Sequence, residues 1–487
     1  MTVALELERR GVDCIVLESG ESAMDPRRQR LNVTSQVGIS TDATDTNRVR
    51  ALGGTSALWG GMCRRLDPLD FERRSWVPDS GWPIKLEDLL PHYETAHRIL
   101  SLPPPDYEFQ SAADPLSMTG PDFENIVFFF DPEPTRFGPE FGPRLQASSK
   151  ISVYLDATVR SVETDETGQR VTSVQALTLG KKGFEVRARR YVLAVGTIET
   201  ARLLLNSDSR QQRGLGNQND LVGRYFHQHP VFTATRLLAF DFDSGSRLRR
   251  AGKRVLVTRV RPEAARTHGL LNFHVLVASN LLSRVESGAG TSSWRARARL
   301  WWEQRRHLYA QPESDAAIGR YLATLEKGLT GAPPAWSIFS DVEVRPEQAP
   351  NPDSRILLGS ERDALGMRQA VMDWRLSALD QDSLRQGARL LAQAVAANGI
   401  GRLKAKTAEL AIPAPQAQYL HGGHHTYGTT RMSDTPSTGV VDANCRVHGL
   451  HNLYVAGAAV FPTTGYANPT LSVVAIAARL ADHLANA

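Results

Sequence analysis

The sequence predicts an α/β protein that opens on the second half of a Rossmann-type βαβ unit. Two observations carry this. The first twenty residues read as helix, glycine, apolar strand and acid. Two later segments, 191–205 and 453–484, each join an apolar strand through small residues to an apolar helix. At roughly 100–200 residues per domain, 487 residues imply two or three units.

In the first element, Val3, Ala4 and Leu7 give a helical apolar face among Glu6, Glu8, Arg9 and Arg10, and Gly11 stops it. Val12 to Leu17 then reads as a strand, with Glu18 at its end. An acid there bonds a ribose hydroxyl in dinucleotide folds. A solvated strand-end acid is the other reading. The usual first strand and Gly-x-Gly-x-x-Gly turn would lie before Met1. The expectation is that the natural frame extends upstream by a strand and its turn, about 10–15 residues.

Next, Arg50-Ala51-Leu52-Gly53-Gly54-Thr55-Ser56-Ala57-Leu58-Trp59-Gly60-Gly61-Met62 sets two glycine pairs around a turn. Such a turn lets backbone N–H groups approach a phosphate or a flat ring, or is a plain glycine-rich turn. Tyr191 to Ala201 reads as buried strand, turn at Gly196 and helix start, with Leu203, Leu204 and Leu205 continuing the helix. At the C-terminal end, His421, His424 and His425 precede Gly428-Thr429-Thr430-Arg431-Met432. The strand Leu453–Gly457, the run Tyr466-Ala467-Asn468-Pro469-Thr470-Leu471 and an alanine-rich helix, Val473 to Leu484, follow.

Composition excludes several classes. The chain is 41% hydrophobic and 22% charged, which fits a folded globular protein rather than a disordered one. Three scattered cysteines, Cys14, Cys63 and Cys445, make neither a disulfide framework nor a cysteine zinc site. The net charge of +5 comes from arginine spread along the chain, with no basic patch or motif for nucleic acid. His421-x-x-His424-His425 has no accompanying acid or cysteine, so no metal is expected. No window approaches 18 uninterrupted apolar residues, and Met1 does not open a signal peptide, which reads as a cytoplasmic protein.

Together these segments resemble the glucose–methanol–choline (GMC) family of FAD-dependent alcohol oxidoreductases. Leu52-Gly53-Gly54-Thr55-Ser56, Asp79-Ser80-Gly81-Trp82-Pro83-Ile84 with Tyr93 and Ala96, Val192 to Leu205, Gly223-Arg224-Tyr225-Phe226 with His229-Pro230, and the C-terminal series stand in the family's order. The C-terminal run most resembles pyranose oxidases and related bacterial sugar or alcohol dehydrogenases. The resemblance implies a Rossmann-like FAD-binding domain, its first strand missing, over 1–67, 145–231 and 413–487. It implies a substrate-binding α+β domain on an antiparallel sheet, with a lid or insert, over 68–144 and 232–412.

The resemblance also implies residue roles. His425, three residues before the Gly428-Thr429 pair, corresponds to the catalytic base, and Asn468 to its partner. An alcohol becomes a carbonyl when its hydroxyl proton is removed as hydride leaves for flavin N5. A histidine with an ordinary pKa of about 6.5 can accept that proton, and Asn468 can hold the same oxygen. FAD contacts are implied for Glu18, Gly53, Gly54, Thr55, Gly60, Val159, Gly196, Gly457, Ala458, Asn468, Pro469 and Thr470. Trp59 lies beside the ring or in the core. Leu58 occupies the position of the covalent histidine of several relatives, so FAD is expected to be non-covalent. His424, His227 and His229 are expected to be structural.

The implied activity is oxidation of a small-molecule alcohol, sugar, glycoside or polyol. Oxygen, a quinone or a protein remains open as electron acceptor. The rival readings are an NAD-dependent dehydrogenase and a flavin-free or truncated relative serving as a binding or assembly subunit. In the middle of the chain, 339–344 and 355–358 read as strands joined by a turn, and Val371 to Trp374 as lining of the substrate cavity. Residues 294–309 read as an arginine-rich amphipathic helix packed on its own domain, with contact to anionic lipid or a partner subunit as the less favoured alternative.

Overall fold

The opening helix spans Thr2–Arg9 and buries Ala4, Leu5 and Leu7. The chain turns at Gly11 and enters the strand Cys14–Leu17, as the apolar run requires. These elements belong to a computed structural model that describes residues 1–41, 44–107, 120–239, 250–251, 253–278, 339–405 and 420–486. The 294–309 segment lies outside the described residues.

Cys14–Leu17 pairs in parallel with Ile151–Tyr154. Tyr191–Leu193 pairs in parallel with Leu453–Val455. Among the described residues these are two separate two-stranded sheets rather than one continuous parallel sheet. Each of the two later strands leads into a turn and a helical element. Tyr191–Leu193 leads to the helix Thr197–Asn206, and Leu453–Val455 to the short helical turn Ala458–Val460. The last helix, Thr470–Asn486, buries Leu471, Val474, Ala475, Ala478 and Ala481 at helical spacing and packs on Thr2–Arg9 and Leu90–Ile99.

Among the described residues the largest sheet has nine strands and is antiparallel. Its main path runs Gly401–Ala405, His227–Ala239, Phe339–Pro346, Phe273–Ala278, Arg254–Val260, Phe123–Phe130 and Met62–Cys63. Leu420–Tyr427 adds to the free part of His227–Ala239. A three-stranded sheet joins Arg355–Arg362, Arg368–Trp374 and Thr34–Gly38. Thr34–Gly38 comes from the first 67 residues, so this sheet stitches distant parts of the chain together.

The strands expected at 339–344 and 355–358 are present but do not pair with each other. The connection explains this. Glu347 and Gln348 turn inward and are fully buried, and Pro350 and Pro352 lack the N–H groups that a ladder needs. The second strand therefore leaves for the three-stranded sheet.

Glu347 makes the deepest ion pair here, with Arg74, both side chains having no exposed surface. Arg74 Nη2 donates to Glu347 Oε2 at 2.9 Å, a second bond joins Nη1 to Oε1, and the Asn272 N–H donates to Oε1 at 2.8 Å. A bidentate pair of this kind is costly to break from one side, because the surviving charge stays buried. Glu347→Gln is expected to lower stability by about 3–5 kcal/mol, whereas the Arg74→Met/Glu347→Leu double variant loses much less. Urea unfolding of the three proteins checks this, and equal losses in single and double variants would refute it.

Candidate active site

The free edges of the two parallel strand pairs line one cavity of about 2190 Å³. That exceeds the roughly 300–1,000 Å³ of most small-ligand sites. Ile15 at 50% exposure, Leu58 at 50% and Val195 at 44% turn apolar surface into it. Large apolar side chains left open in this way mark a binding surface.

The residues implied to be catalytic or to contact FAD all lie on this wall: Glu18, Gly53, Gly54, Thr55, Trp59, Gly60, Val159, Gly196, His425, Gly457, Ala458, Asn468, Pro469 and Thr470. They play different parts. Gly53, at φ 95°, packs against the helix Phe137–Ala147, where a Cβ would stand 2.3 Å from the Gly138 nitrogen. Gly196 and Gly457, at φ 82° and 118°, each stand before a helical element, and a Cβ on either would meet nothing within 4 Å. These two leave backbone open to the cavity at helix starts, where N–H groups are unpaired. The Trp59 indole donates to the Thr135 carbonyl at 3.0 Å while its ring packs on the core. Glu18 accepts from the Gly20 N–H at 2.7 Å, and burial pushes its carboxyl above the ordinary range.

His425 lies on Leu420–Tyr427, third from the end of the strand. The strand end is fixed from two sides. The Thr197 hydroxyl donates to the Thr426 carbonyl at 2.7 Å, and the Thr429 hydroxyl to the Thr197 carbonyl at 2.8 Å. The Thr430 and Met432 N–H groups donate to Ala459 and Val460 at 2.9 and 2.8 Å. Burial lowers the His425 pKa well below its ordinary value, and the nearby His229, Arg345 and His424 add to this. The imidazole is therefore neutral near pH 7.

Asn468 sits in the loop before the last helix, and that loop is anchored to early parts of the chain. The Trp82 indole donates to the Thr463 hydroxyl at 2.8 Å, and that hydroxyl donates to the Asp70 carbonyl at 2.8 Å. The buried Tyr466 hydroxyl donates to Asp67, which also holds Arg64 and Arg259. Tyr93 meets Ser472 at 2.8 Å.

Some expectations are corrected by the geometry. Of the 371–374 stretch, Met372 lines the cavity, but Val371 and Trp374 do not. Trp374 is fully buried and its indole donates to the Gln348 side chain at 2.8 Å, which holds it against the connection after Phe339–Pro346. His229, expected to be structural, contacts His425 itself at 3.1 Å. Sequence reading passed over Arg48, Arg50, Glu199 and Gln228, which also line the cavity. An acid inside an apolar helix start, with two arginines near a glycine turn, was the available signal for the first three. Among the described residues no His, Cys, Asp or Glu cluster could hold a metal ion, and no helix is long and apolar enough to cross a membrane.

The cavity suits a dinucleotide: it is large, walled by backbone at Gly196 and Gly457, with an acid after one strand and both apolar and charged side chains elsewhere. Glu18, Val159, Gly196, Gly457 and Asn468 to Thr470 are the lining residues that would hold such a group.

Comparison with known proteins agrees with this geometry. Profiles described as GMC oxidoreductase match residues 143–231 and 350–477. Paromamine 6'-oxidase of Streptomyces fradiae is 24% identical across 98% of this chain and 88% of its own. The fructose dehydrogenase large subunit of Gluconobacter japonicus is 24% identical over 68% of this chain and 53% of its own. Among solved structures, pyridoxine 4-oxidase from Mesorbium loti superposes with a TM-score of 0.57 at 16% identity, covering 100% of this chain and 97% of that one. Two profiles at separate stretches of the chain, and relatives aligned along nearly all of it, place this protein in the GMC oxidoreductase family, FAD-dependent enzymes that act on CH–OH donors.

Proposed function

We propose that this protein oxidises an alcohol group of a sugar, glycoside or polyol to a carbonyl, with His425 as the proton acceptor and Asn468 as its partner. The observation that supports this reading is the placement of a neutral imidazole and a carboxamide on the wall of one dinucleotide-sized cavity. The sugar class draws on relatives named for paromamine, 6'''-hydroxyparomomycin C and fructose.

FAD, when bound, supplies the hydride acceptor. The chain's own residues handle the proton and the position of the alcohol. A neutral imidazole nitrogen accepts the hydroxyl hydrogen, and the proton passes to it as the carbonyl forms. The Asn468 amide donates a hydrogen bond to the same oxygen without competing for that proton. Burial, with His229 and Arg345 adding to it, keeps His425 uncharged at rest, so the acceptor is vacant when substrate arrives. Leu58 turns half its surface into the cavity at the position where a covalent histidine would stand, and it has no nucleophile. We therefore read the FAD as non-covalent.

Three outcomes test this reading. His425→Ala is expected to slow flavin reduction by about 10²–10⁴-fold in anaerobic stopped-flow, and a wild-type rate would remove the base assignment. Because His425 works when neutral and its pKa lies below 6.5, activity is lost only as pH falls through that lowered value. The acid limb of kcat/KM is thus expected below pH 6.5, and a midpoint at or above 6.5 counts against it. Acid precipitation is expected to release all flavin to the supernatant, whereas a yellow pellet would show a covalent link. A screen of sugars, glycosides and polyols run with both oxygen and a dye acceptor identifies the acceptor class.

A further inference from the structure

His229 and His425 are 196 positions apart, yet their rings meet nearly at right angles, with Nδ1 facing Nδ1 at 3.1 Å. The other nitrogen of His229, Nε2, lies 2.8 Å from the Gly465 carbonyl oxygen. A carbonyl only accepts, so His229 Nε2 must carry a hydrogen. In a neutral ring His229 Nδ1 then holds a lone pair. Two nitrogens at hydrogen-bond distance need one hydrogen between them, and His425 Nδ1 must provide it. That leaves His425 Nε2 without a proton.

We propose that His229 is a positioning residue that holds His425 in the tautomer with its proton on Nδ1 and its lone pair on Nε2. The inference rests on the reading of His425 as base. It adds what selects the nitrogen that does the work. The order of bonds runs from the Gly465 carbonyl through His229 to His425, and each member settles the next.

The surroundings keep both rings neutral. Burial pushes His229 down to about 3 against the Gly465 bond, which favours its charged form. The groups facing the pair from neighbouring elements are the Tyr427 hydroxyl, the His274 imidazole, the Arg345 guanidinium and His424. Burial holds Tyr427 well above its ordinary value and His274 well below, so none of these is an anion near pH 7. Tyr427 lies 3.5 Å from His229 Nδ1, farther than His425.

The start of the chain of bonds is itself rigid. Gly465 takes φ 55°, and a Cβ there would stand 2.5 Å from an Asp70 carboxylate oxygen. No other residue fits without displacing Asp70, whose other oxygen accepts from Asn272 at 3.0 Å.

The test uses the FAD-loaded full chain with ¹⁵N-labelled histidine rings, the His425 signals being identified by their loss in His425→Asn. In the wild type, His425 is expected to show a protonated Nδ1 and a bare Nε2, and His229 the reverse. His229→Leu removes the acceptor, and His425 is expected to populate the Nε2–H form. Flavin reduction then slows by about 10²-fold with KM nearly unchanged and the bound flavin spectrum retained. His229→Asn offers a carboxamide oxygen to His425 Nδ1 and is expected to restore the tautomer and at least about tenfold of the rate. A wild-type His425 protonated on Nε2 would overturn the inference, even if His229→Leu fails to fold. So would an unchanged tautomer in a folded His229→Leu. The ring spectra do not depend on turnover. A tautomer as expected beside an active His425→Ala therefore refutes the base assignment alone.

Discussion

Glu199 is the anion on which the cavity wall is assembled. Burial alone would push its carboxyl up, but Arg50, Arg202 and Arg48 together bring it down to about 2. Arg50 Nη2 donates to it at 2.6 Å, Arg48 Nη1 at 3.1 Å and Arg202 Nη1 at 3.3 Å. Each arginine spends its remaining donors elsewhere. Arg50 reaches Ser19 and Asn32, Arg48 reaches Thr34, and Arg202 reaches Asp363 and the carbonyls of Leu31 and Arg368. One carboxylate thus ties the end of the first strand, the glycine-turn approach, the helix Thr197–Asn206 and the three-stranded sheet. Guanidinium suits this work because its planar fork stays charged when buried and serves several acceptors at once.

The recurrent segments also act as joints between distant parts of the chain. Trp82 and Tyr93 grip the loop and helix that carry Asn468, Thr470 and Ser472. Arg431 donates to the Asp79 carbonyl at 2.5 Å and lies over the Tyr225 ring, joining three segments at one point. Gly223 passes so close to Ile356 that a Cβ would stand 2.2 Å from its carbonyl oxygen. A reacting geometry built from residues 18 to 470 needs such joints, since positional error accumulates along the chain and only cross-links remove it.

Local signals made much of this legible. Helix, glycine and strand at the start, the turns at Gly196 and Gly457, and the terminal helix all show in spacing and residue type, because their causes lie within a few positions. The cavity residues were legible for the same reason: small residues at strand ends leave backbone open. What stayed hidden has non-local causes. Nothing near Glu199 reveals that Arg48 and Arg50 will fold onto it. The partition of 339–346 and 355–362 between two sheets depends on Arg74, far upstream. His229 looks like any buried histidine beside a proline until the strand bearing His425 is laid against it.

That last pairing contains an irregularity with wider meaning. Gln228 stands opposite Thr426, but Pro230 stands opposite Gly422, so Gly423, His424 and His425 together face His229 alone. His424 takes φ 58° to accommodate the excess. Strand side chains alternate, so the parity of this insertion decides which imidazole meets His229 and which stays exposed beside Asn47. Two adjacent histidines of identical chemistry are distinguished only by counting. A single-residue insertion or deletion here would exchange their roles while leaving every side chain of the site in the sequence, a change that residue-by-residue comparison of relatives would overlook.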